Sequence, residues 1–245
     1  MTDSIFLKEY IEEAIVALKG LGLSVRWGND FDVFRRIIAR HDERYEPSHG
    51  FNPECYENGG LDGVWLTAFR GTGELVHTQA SRCVSVKPNL VHHLRYESNA
   101  YEPAYLKFDL ENLNVKLSPE AAQIRGDAIY HGEAWLKGGP DGIRGGPALF
   151  IFSRMMIAKA LLLWDVQHIF GLITPFTGIK GLPQRYGYTK CEQGAITFPK
   201  RPELTSDLWL VWMSREEAKL QLTLRPQYFM ELMVPPEQEV VGKVA

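Results

Sequence analysis

A glycine-rich turn in the middle of the chain carries the most chemical information in the sequence. Residues 142–150 read GIRGGPALF and lead into an apolar run, 148–164, that is typical of a core helix. Unpaired amides and the positive end of the dipole at a helix N-terminus favour a phosphate or pyrophosphate. Arg144 adds a fixed cation that suits phosphate oxygens. A loop that needs glycine only in order to turn explains the same residues about equally well.

Other reactive side chains are weaker candidates. The turn has neither GxxxxGK[ST] nor GxGxxG, so the usual nucleotide fingerprints are missing from it. His92 and His93 are adjacent, so on a strand they would point to opposite faces and make a poor metal pair. Neither Cys83 nor Cys191 has the sequence context of an activated thiolate. We therefore expect no metal site and no cysteine nucleophile.

The elements that must position the turn alternate between strand and helix. Segments with strand character are 22–27, 64–70, 75–86, 124–137, 168–176, 194–198 and 207–213. Segments with helical spacing are 1–20, 31–45 and 148–167. Residues 87–123 are interpreted as an excursion from the sheet that carries a helix or two. The pattern predicts a mixed sheet of about seven strands with helices on both faces. Within it, 126–176 forms a strand–turn–helix–strand crossover.

Composition excludes several classes of protein. Apolar residues make up 45% of the chain, charged residues 23%, and the net charge is −3, which argues for a globular protein without a nucleic-acid partner. The three separated cysteines fit a reducing compartment. The first twenty residues lack the pattern of a signal peptide, and Arg154 and Lys159 interrupt the most apolar run. We therefore expect a cytoplasmic protein that does not bind a membrane.

The order of the elements, together with the turn, resembles the GNAT superfamily of acyl-CoA-dependent N-acyltransferases over residues 22–213. That family has an R/Q-x-x-G-x-G/A turn that binds the pyrophosphate of the acyl carrier. Here the turn corresponds to 144–149, RGGPAL, with Pro147 at the position of the motif's glycine, and 185–188, RYGY, resembles the family's closing aromatic phrase. The resemblance implies an α/β (α+β) fold with a mixed, mostly antiparallel, splayed sheet. It implies one domain over 1–215. The Pro235-Pro236 pair and the polar finish predict a C-terminal extension over 216–245 that is partly disordered.

A branch of the superfamily that includes autoinducer synthases and N-acyl amino acid synthases offers a closer likeness. It is suggested by Glu133 on the strand before the turn, by the second helix, which is rich in Phe and Arg, and by the long excursion. The resemblance implies a donor thioester, either acetyl-CoA or another acyl-CoA or an acyl carrier protein. The acceptor is the amine of a small molecule or amino acid. A homodimer is compatible with the same resemblance.

Such a reaction assigns roles to particular residues. The enzyme must deprotonate an ammonium, align it, stabilise an oxyanion and protonate a thiolate. Glu133 is the predicted base, and His131 is its rival, two residues earlier and expected on the same strand face. Tyr186 or Tyr188 would protonate the thiolate. The predicted donor-binding residues are Gly142, Ile143, Arg144, Gly145, Gly146, Ala148 and Ile173. Structural readings compete throughout, with Glu133 paired to Arg125 or Lys137 and both tyrosines simply packed.

Two alternatives to this function remain open. The first is a non-catalytic module that holds an acyl or nucleotide ligand, and Pro147 favours it because proline removes one amide donor from the turn. The second keeps the catalysis but makes a protein lysine or N-terminus the acceptor. The long segment 87–123 argues against a protein acceptor, which needs an open groove.

Overall fold

Eight strands of the computed structural model join into one sheet. The structure describes residues 3–41, 47–55, 62–97, 112–197 and 207–232. Within them the strands are β1 Leu23–Gly28, β2 Gly63–Arg70, β3 Leu75–Val86, β4 Asn114–Val115, β5 Gly126–Leu136, β6 His168–Ile173, β7 Lys190–Thr197 and β8 Leu208–Ser214. Their order is β1-β2-β3-β5-β6-β8-β7-β4, and every neighbouring pair is antiparallel except β5 with β6. The predicted mixed, mostly antiparallel sheet is confirmed.

Helices cover both faces of this sheet. They are α1 Asp3–Gly20, α2 Phe31–Ala39, α3 Leu90–Tyr96, α4 Ala148–Leu163, α5 Pro175–Ile179, α6 Leu182–Tyr186, α7 Arg215–Gln221 and α8 Pro226–Leu232. Successive residues of β2 alternate between two buried clusters, because side chains on a strand alternate between faces. Val64 and Leu66 join the cluster of α1 and α4, whereas Trp65 joins that of α2 and α3.

Several predicted elements end earlier in the structure than in the sequence pattern. α2 begins after Asp30, whose carboxylate accepts hydrogen bonds from the amides of Asp32 and Val33. It ends at Ala39 rather than continuing to 45, and residues 42–46 lie outside the described part of the chain. β6 stops at Ile173 because Thr174 caps α5 and accepts a hydrogen bond from the amide of Thr177.

The segment 87–123, which the sequence predicts as an excursion from the sheet, itself contributes a strand to the sheet. It contains α3 and also β4, which pairs with β7 and forms the edge of the sheet. This short strand is the eighth, beyond the seven that the sequence predicts. Residues 98–111 of the predicted excursion lie outside the described residues.

The start of the predicted C-terminal extension packs onto the domain. Ala218 of α7, Leu222 and Phe229 of α8 are buried in the same cluster as α1 and α4. The ring of Phe229 stacks on Phe150 with 5.2 Å between centroids, and the guanidinium of Arg154 lies 4.7 Å from its centroid. Residues 233–245 of the extension are not among the described residues. No helix in the described ranges combines the length and apolar character needed to cross a membrane.

Candidate active site

The parallel strands β5 and β6 separate and open a wedge in the sheet. They pair only where Ala128–Tyr130 faces His168–Phe170, after which β5 follows β3 and β6 follows β8. The predicted splay is thus present, and it begins just after Phe170. Gly171 lies at this point. A β-carbon added to Gly171 would lie 2.7 Å from the carbonyl oxygen of His131. Glycine therefore permits the close approach of the strands at the apex of the wedge.

A cavity of about 590 Å³ occupies the wedge. Its walls are mainly apolar and come from β5, β6, β8 and the helices beside them: Leu136, Leu149, Leu172, Ile173, Leu182, Leu208 and Val211. Three cationic side chains also line it, namely Arg144, Lys180 and Arg185. Among the lining residues that the structure describes, Glu133 supplies the carboxylate. The cavity therefore combines an apolar interior with an excess of positive charge.

Glu133 reaches the cavity through a bulge in β5. Thr78 pairs with Trp135 but Ala80 pairs with Gly132, so β5 holds one residue more than β3 over this stretch. Glu133 has a φ of +54°, a left-handed conformation that is uncommon for a residue other than glycine. The hydroxyl of Thr78 donates to the Glu133 carbonyl oxygen at 2.9 Å. A strained residue held in this way is more frequent at functional sites than elsewhere.

The Glu133 carboxylate is oriented by a residue far away in sequence. Its Oε1 accepts one hydrogen bond from the Ser48 amide at 2.9 Å and another from the Ser48 hydroxyl at 2.6 Å. The structural alternative predicted from the sequence was an ion pair between Glu133 and Lys137. The ammonium of Lys137 pairs instead with the carboxylate of Glu74. No sequence signal marked Ser48, since it lies in a loop 85 residues before its partner.

His131 and Glu133 do not share a face of the strand, so that prediction is wrong. His131 lies on the α4 side, where its Nδ1 is 3.0 Å from the Tyr188 hydroxyl and its Nε2 is 3.3 Å from Gln79 Oε1. Glu133 turns to Ser48, which precedes Phe51 on the opposite face. The extra residue in the bulge causes the difference because it shifts the alternation of side chains. Burial lowers the pKa of His131 to about 4.

Both predicted tyrosines line the cavity. Burial raises the pKa of Tyr186 to about 12, although the nearby Arg144 cation opposes that rise. Burial also raises the pKa of Tyr188, which forms the hydrogen bond with His131. Tyr130 lines the same cavity from β5 and was not singled out in the sequence. Gln79 was missed as well, although a glutamine in the middle of a buried strand was an available signal.

The glycine-rich turn uses some of the amides that were predicted to bind the donor. The amide of Gly142 donates to the Gly139 carbonyl, that of Ile143 to Lys137 and that of Gly146 to Ile143, at 3.0, 3.0 and 3.3 Å. These three amides therefore form hydrogen bonds with the protein itself, whereas the sequence predicted that they bind the donor.

Four other amides of the turn have no hydrogen-bond partner within the described residues: Arg144, Gly145, Ala148 and Leu149. Pro147 caps α4, and its carbonyl accepts hydrogen bonds from the amides of Phe150 and Ile151. Arg144 folds back so that its Nε donates to the Leu136 carbonyl at 2.8 Å, and the side chain lines the cavity. Of the four residues with unpaired amides, Arg144 and Leu149 line the cavity.

No protein-family model and no curated protein sequence matches the chain. Solved structures do align with it. One is the aminoglycoside acetyltransferase AAC(6')-Ib in complex with coenzyme A and kanamycin (11% identity, 81% of this chain, 98% of that chain, TM-score 0.42). Another is FeeM, an N-acyl amino acid synthase from uncultured soil microbes (12% identity, 82% of this chain, 95% of that chain, TM-score 0.43). A third is the GNAT domain of S. lividans PAT (12% identity, 78% of this chain, 89% of that chain, TM-score 0.38). The chain is similar to these proteins at a level that leaves its activity to be argued from its own site.

Proposed function

We propose that this protein is an N-acyltransferase that moves an acyl group from an acyl-CoA or acyl-carrier-protein thioester to the amine of a small molecule or amino acid. The observation that carries the proposal is the wedge between β5 and β6. Its cavity of about 590 Å³ is lined by Leu149 at the start of α4, whose amide is unpaired, by three cationic side chains, by an oriented carboxylate and by buried hydroxyl groups. These are the groups that amine acylation by a thioester needs.

The donor is proposed to enter at the wide end of the wedge. The amides of Gly145, Ala148 and Leu149 point to no protein acceptor in the described chain, so they can donate to phosphate oxygens. Arg144 supplies charge beside them, and Lys180 and Arg185 line the same cavity. Beyond Phe170 the strands no longer pair with each other, so an extended carrier arm that contains amides can bond to a strand edge there.

The reaction requires three proton movements: one from the ammonium, one from the nitrogen after attack, and one to the thiolate. Glu133, held by Ser48, takes the first proton from the incoming ammonium. The free amine attacks the thioester carbon, and backbone amides near Ile173 stabilise the oxyanion. The carbon–nitrogen bond forms, the carbon–sulfur bond breaks with its electron pair on sulfur, and the nitrogen loses its second proton. A tyrosine, Tyr186 or Tyr188, protonates the departing thiolate, and the second proton of the nitrogen restores the hydroxyl of that tyrosine.

The charge of the cavity supports an acceptor with few amines. Three cations and one carboxylate line it, so a polycation would meet net repulsion, whereas the carboxylate of an amino acid would be attracted. The three separated cysteines fit a reducing compartment, so we place the reaction in the cytoplasm. A second candidate, the non-catalytic ligand-binding module, is favoured by Pro147, which removes one amide donor from the turn.

An activity assay separates these two functions. The whole protein is incubated with acyl-CoAs of increasing chain length and a panel of amino acids and monoamines, and the amide product is identified by mass spectrometry. We expect amide formation together with release of free thiol. Binding of an acyl-CoA without any turnover over the whole panel would favour the binding module instead.

Substitution of the proposed base sharpens this assay. Glu133→Gln should lower the rate at neutral pH by about 10²–10⁴-fold, since the glutamine cannot accept the proton. The rate should recover at high pH, where the acceptor is already a free amine. Glu12→Gln, at an exposed position of α1, is the matched control and should change nothing. Full activity of Glu133→Gln across the pH range would remove Glu133 from the mechanism.

A further inference from the structure

A chain of hydrogen bonds between buried side chains runs from α4 to the cavity. Nε2 of Gln79 donates to the Phe152 carbonyl of α4 at 2.6 Å, and its Oε1 lies 3.3 Å from Nε2 of His131. Nδ1 of His131 lies 3.0 Å from the hydroxyl of Tyr188, which lines the cavity. Gln79, His131 and Tyr188 are 1%, 6% and 6% exposed, so bulk water does not compete for these bonds.

The Phe152 carbonyl, at the α4 end, determines which group donates in each hydrogen bond of this series. A carbonyl oxygen only accepts, so Gln79 must present its NH₂ group to Phe152 and its oxygen to His131. That oxygen also only accepts, so Nε2 of His131 carries the imidazole proton. A neutral imidazole has one donor and one acceptor, which leaves Nδ1 to accept the proton of Tyr188. Tyr188 therefore directs its proton inward and its oxygen lone pairs into the cavity.

The neutral state that this argument requires follows from burial. Removal of His131 from water penalises the imidazolium and lowers its pKa to about 4. His77 of β3 lies near enough to His131 for the two charges to repel, and burial lowers the pKa of His77 to about 3. Tyr188 from the segment after α6 is the titratable group in contact with Nδ1, and its pKa is raised.

We infer that Gln79 and His131 are positioning residues that make Tyr188 the acceptor of the second amine proton and then its donor to the thiolate. This inference rests on the proposed function. After the carbon–nitrogen bond forms, the cationic nitrogen passes a proton to the Tyr188 oxygen while the proton of Tyr188 moves to Nδ1 of His131. When the carbon–sulfur bond breaks, Tyr188 protonates the thiolate and the imidazolium returns the proton to Tyr188. The buried imidazolium is a strong acid, so its return step is favourable.

The tautomer of His131 is the direct test and needs no turnover. Long-range ¹H–¹⁵N spectra of the whole ¹⁵N-labelled protein at pH 7 report which ring nitrogen carries the proton, with His131→Asn used to assign the signals. We expect a neutral ring protonated at Nε2, and an Nδ1 resonance that shifts when Tyr188→Phe removes its donor. A ring protonated at Nδ1, or an imidazolium, would overturn the inference. The expected tautomer in a protein that transfers no acyl group would instead count against the proposed function.

A kinetic test follows the relay in the active protein. Gln79→Glu keeps an oxygen acceptor for Nε2 but places a negative charge beside it, which favours the imidazolium. The acidic limb of the pH–rate profile should therefore move upward by about one pH unit or more. Gln123→Glu, at an exposed position away from the cavity, is the control. A folded Gln79→Glu protein with an unmoved limb contradicts the relay. If this variant does not fold, the spectra of Tyr188→Phe still decide the matter.

Discussion

At the scale of single residues, three buried histidines tie the stability of the protein to pH. His77 lies on β3, His93 on α3 and His131 on β5, and each is nearly inaccessible to solvent. Burial is the largest cause of the shift in all three cases, and it lowers their pKa values to about 3, 4 and 4. The folded protein therefore holds all three rings neutral across the physiological range.

We expect the free energy of unfolding to fall as the pH is lowered below about 6.5, the ordinary pKa of histidine. Between that value and about pH 4 the unfolded chain binds protons at these positions and the folded chain does not, so acid favours unfolding. Urea unfolding at pH 7, 6 and 5 measures the slope. His93→Gln should flatten it, with exposed His92→Gln on the same helix as the control for the substitution. Equal stability at pH 7 and pH 5 would contradict this account.

The chemistry-bearing residues were predictable where type and local pattern agree. His131 and Glu133 lie on the strand that precedes the turn, Tyr186 and Tyr188 lie in the RYGY phrase at 185–188, and all four line the cavity. Partners that come from distant segments were not predictable, because Ser48 and its contact with Glu133 depend on how two separate segments meet. The interior position of Gln79 in a run of buried residues was a usable signal that a polar side chain had a partner there.

At the scale of elements, the apex of the wedge depends on one glycine and one bulge. The bulge turns Glu133 to Ser48 and leaves His131 on the α4 side, so one strand serves both faces of the sheet. The sequence pattern identifies β5 as a strand but contains no signal for the extra residue, and the prediction of a shared face fails for this reason. Strand alternation is a reliable guide only where the register is unbroken.

Gly171→Ala tests the close approach at the apex. The new β-carbon would lie 2.7 Å from the His131 carbonyl oxygen and 3.4 Å from the Tyr188 hydroxyl, so β6 must move away from β5. We expect a loss of about 1–3 kcal/mol in the free energy of unfolding, together with reduced activity. Gly20→Ala makes the same change at the end of α1, where nothing lies within 4 Å, and should be neutral or stabilising. Full stability of Gly171→Ala would mean that the strands are not confined there.

At the scale of the whole molecule, the sheet consists of two antiparallel halves joined along three residue pairs of β5 and β6. The fold class was predictable because long strands, the Gly-rich turn and the apolar helix α4 have strong periodic patterns. β4 was not predictable, since a two-residue edge strand is defined only by its pairing with β7. The packing of Phe229 on Phe150 and Arg154 likewise needs the folded chain, because these residues are far apart in sequence.

The central claim is that the wedge binds a phosphate-bearing acyl donor at the start of α4. The most direct measurement is calorimetric titration of an acyl-CoA, and separately of an acyl carrier protein, into the wild type and Arg144→Glu. The substitution exchanges attraction for repulsion beside the unpaired amides of Gly145, Ala148 and Leu149, so we expect the affinity to fall roughly tenfold or more. The matched control is Arg125→Glu. Arg125 is exposed and directly precedes the first residue of β5, so this variant should bind both donors like the wild type. Equal affinity of wild type and Arg144→Glu for both donors, or no binding of either donor, would contradict the account.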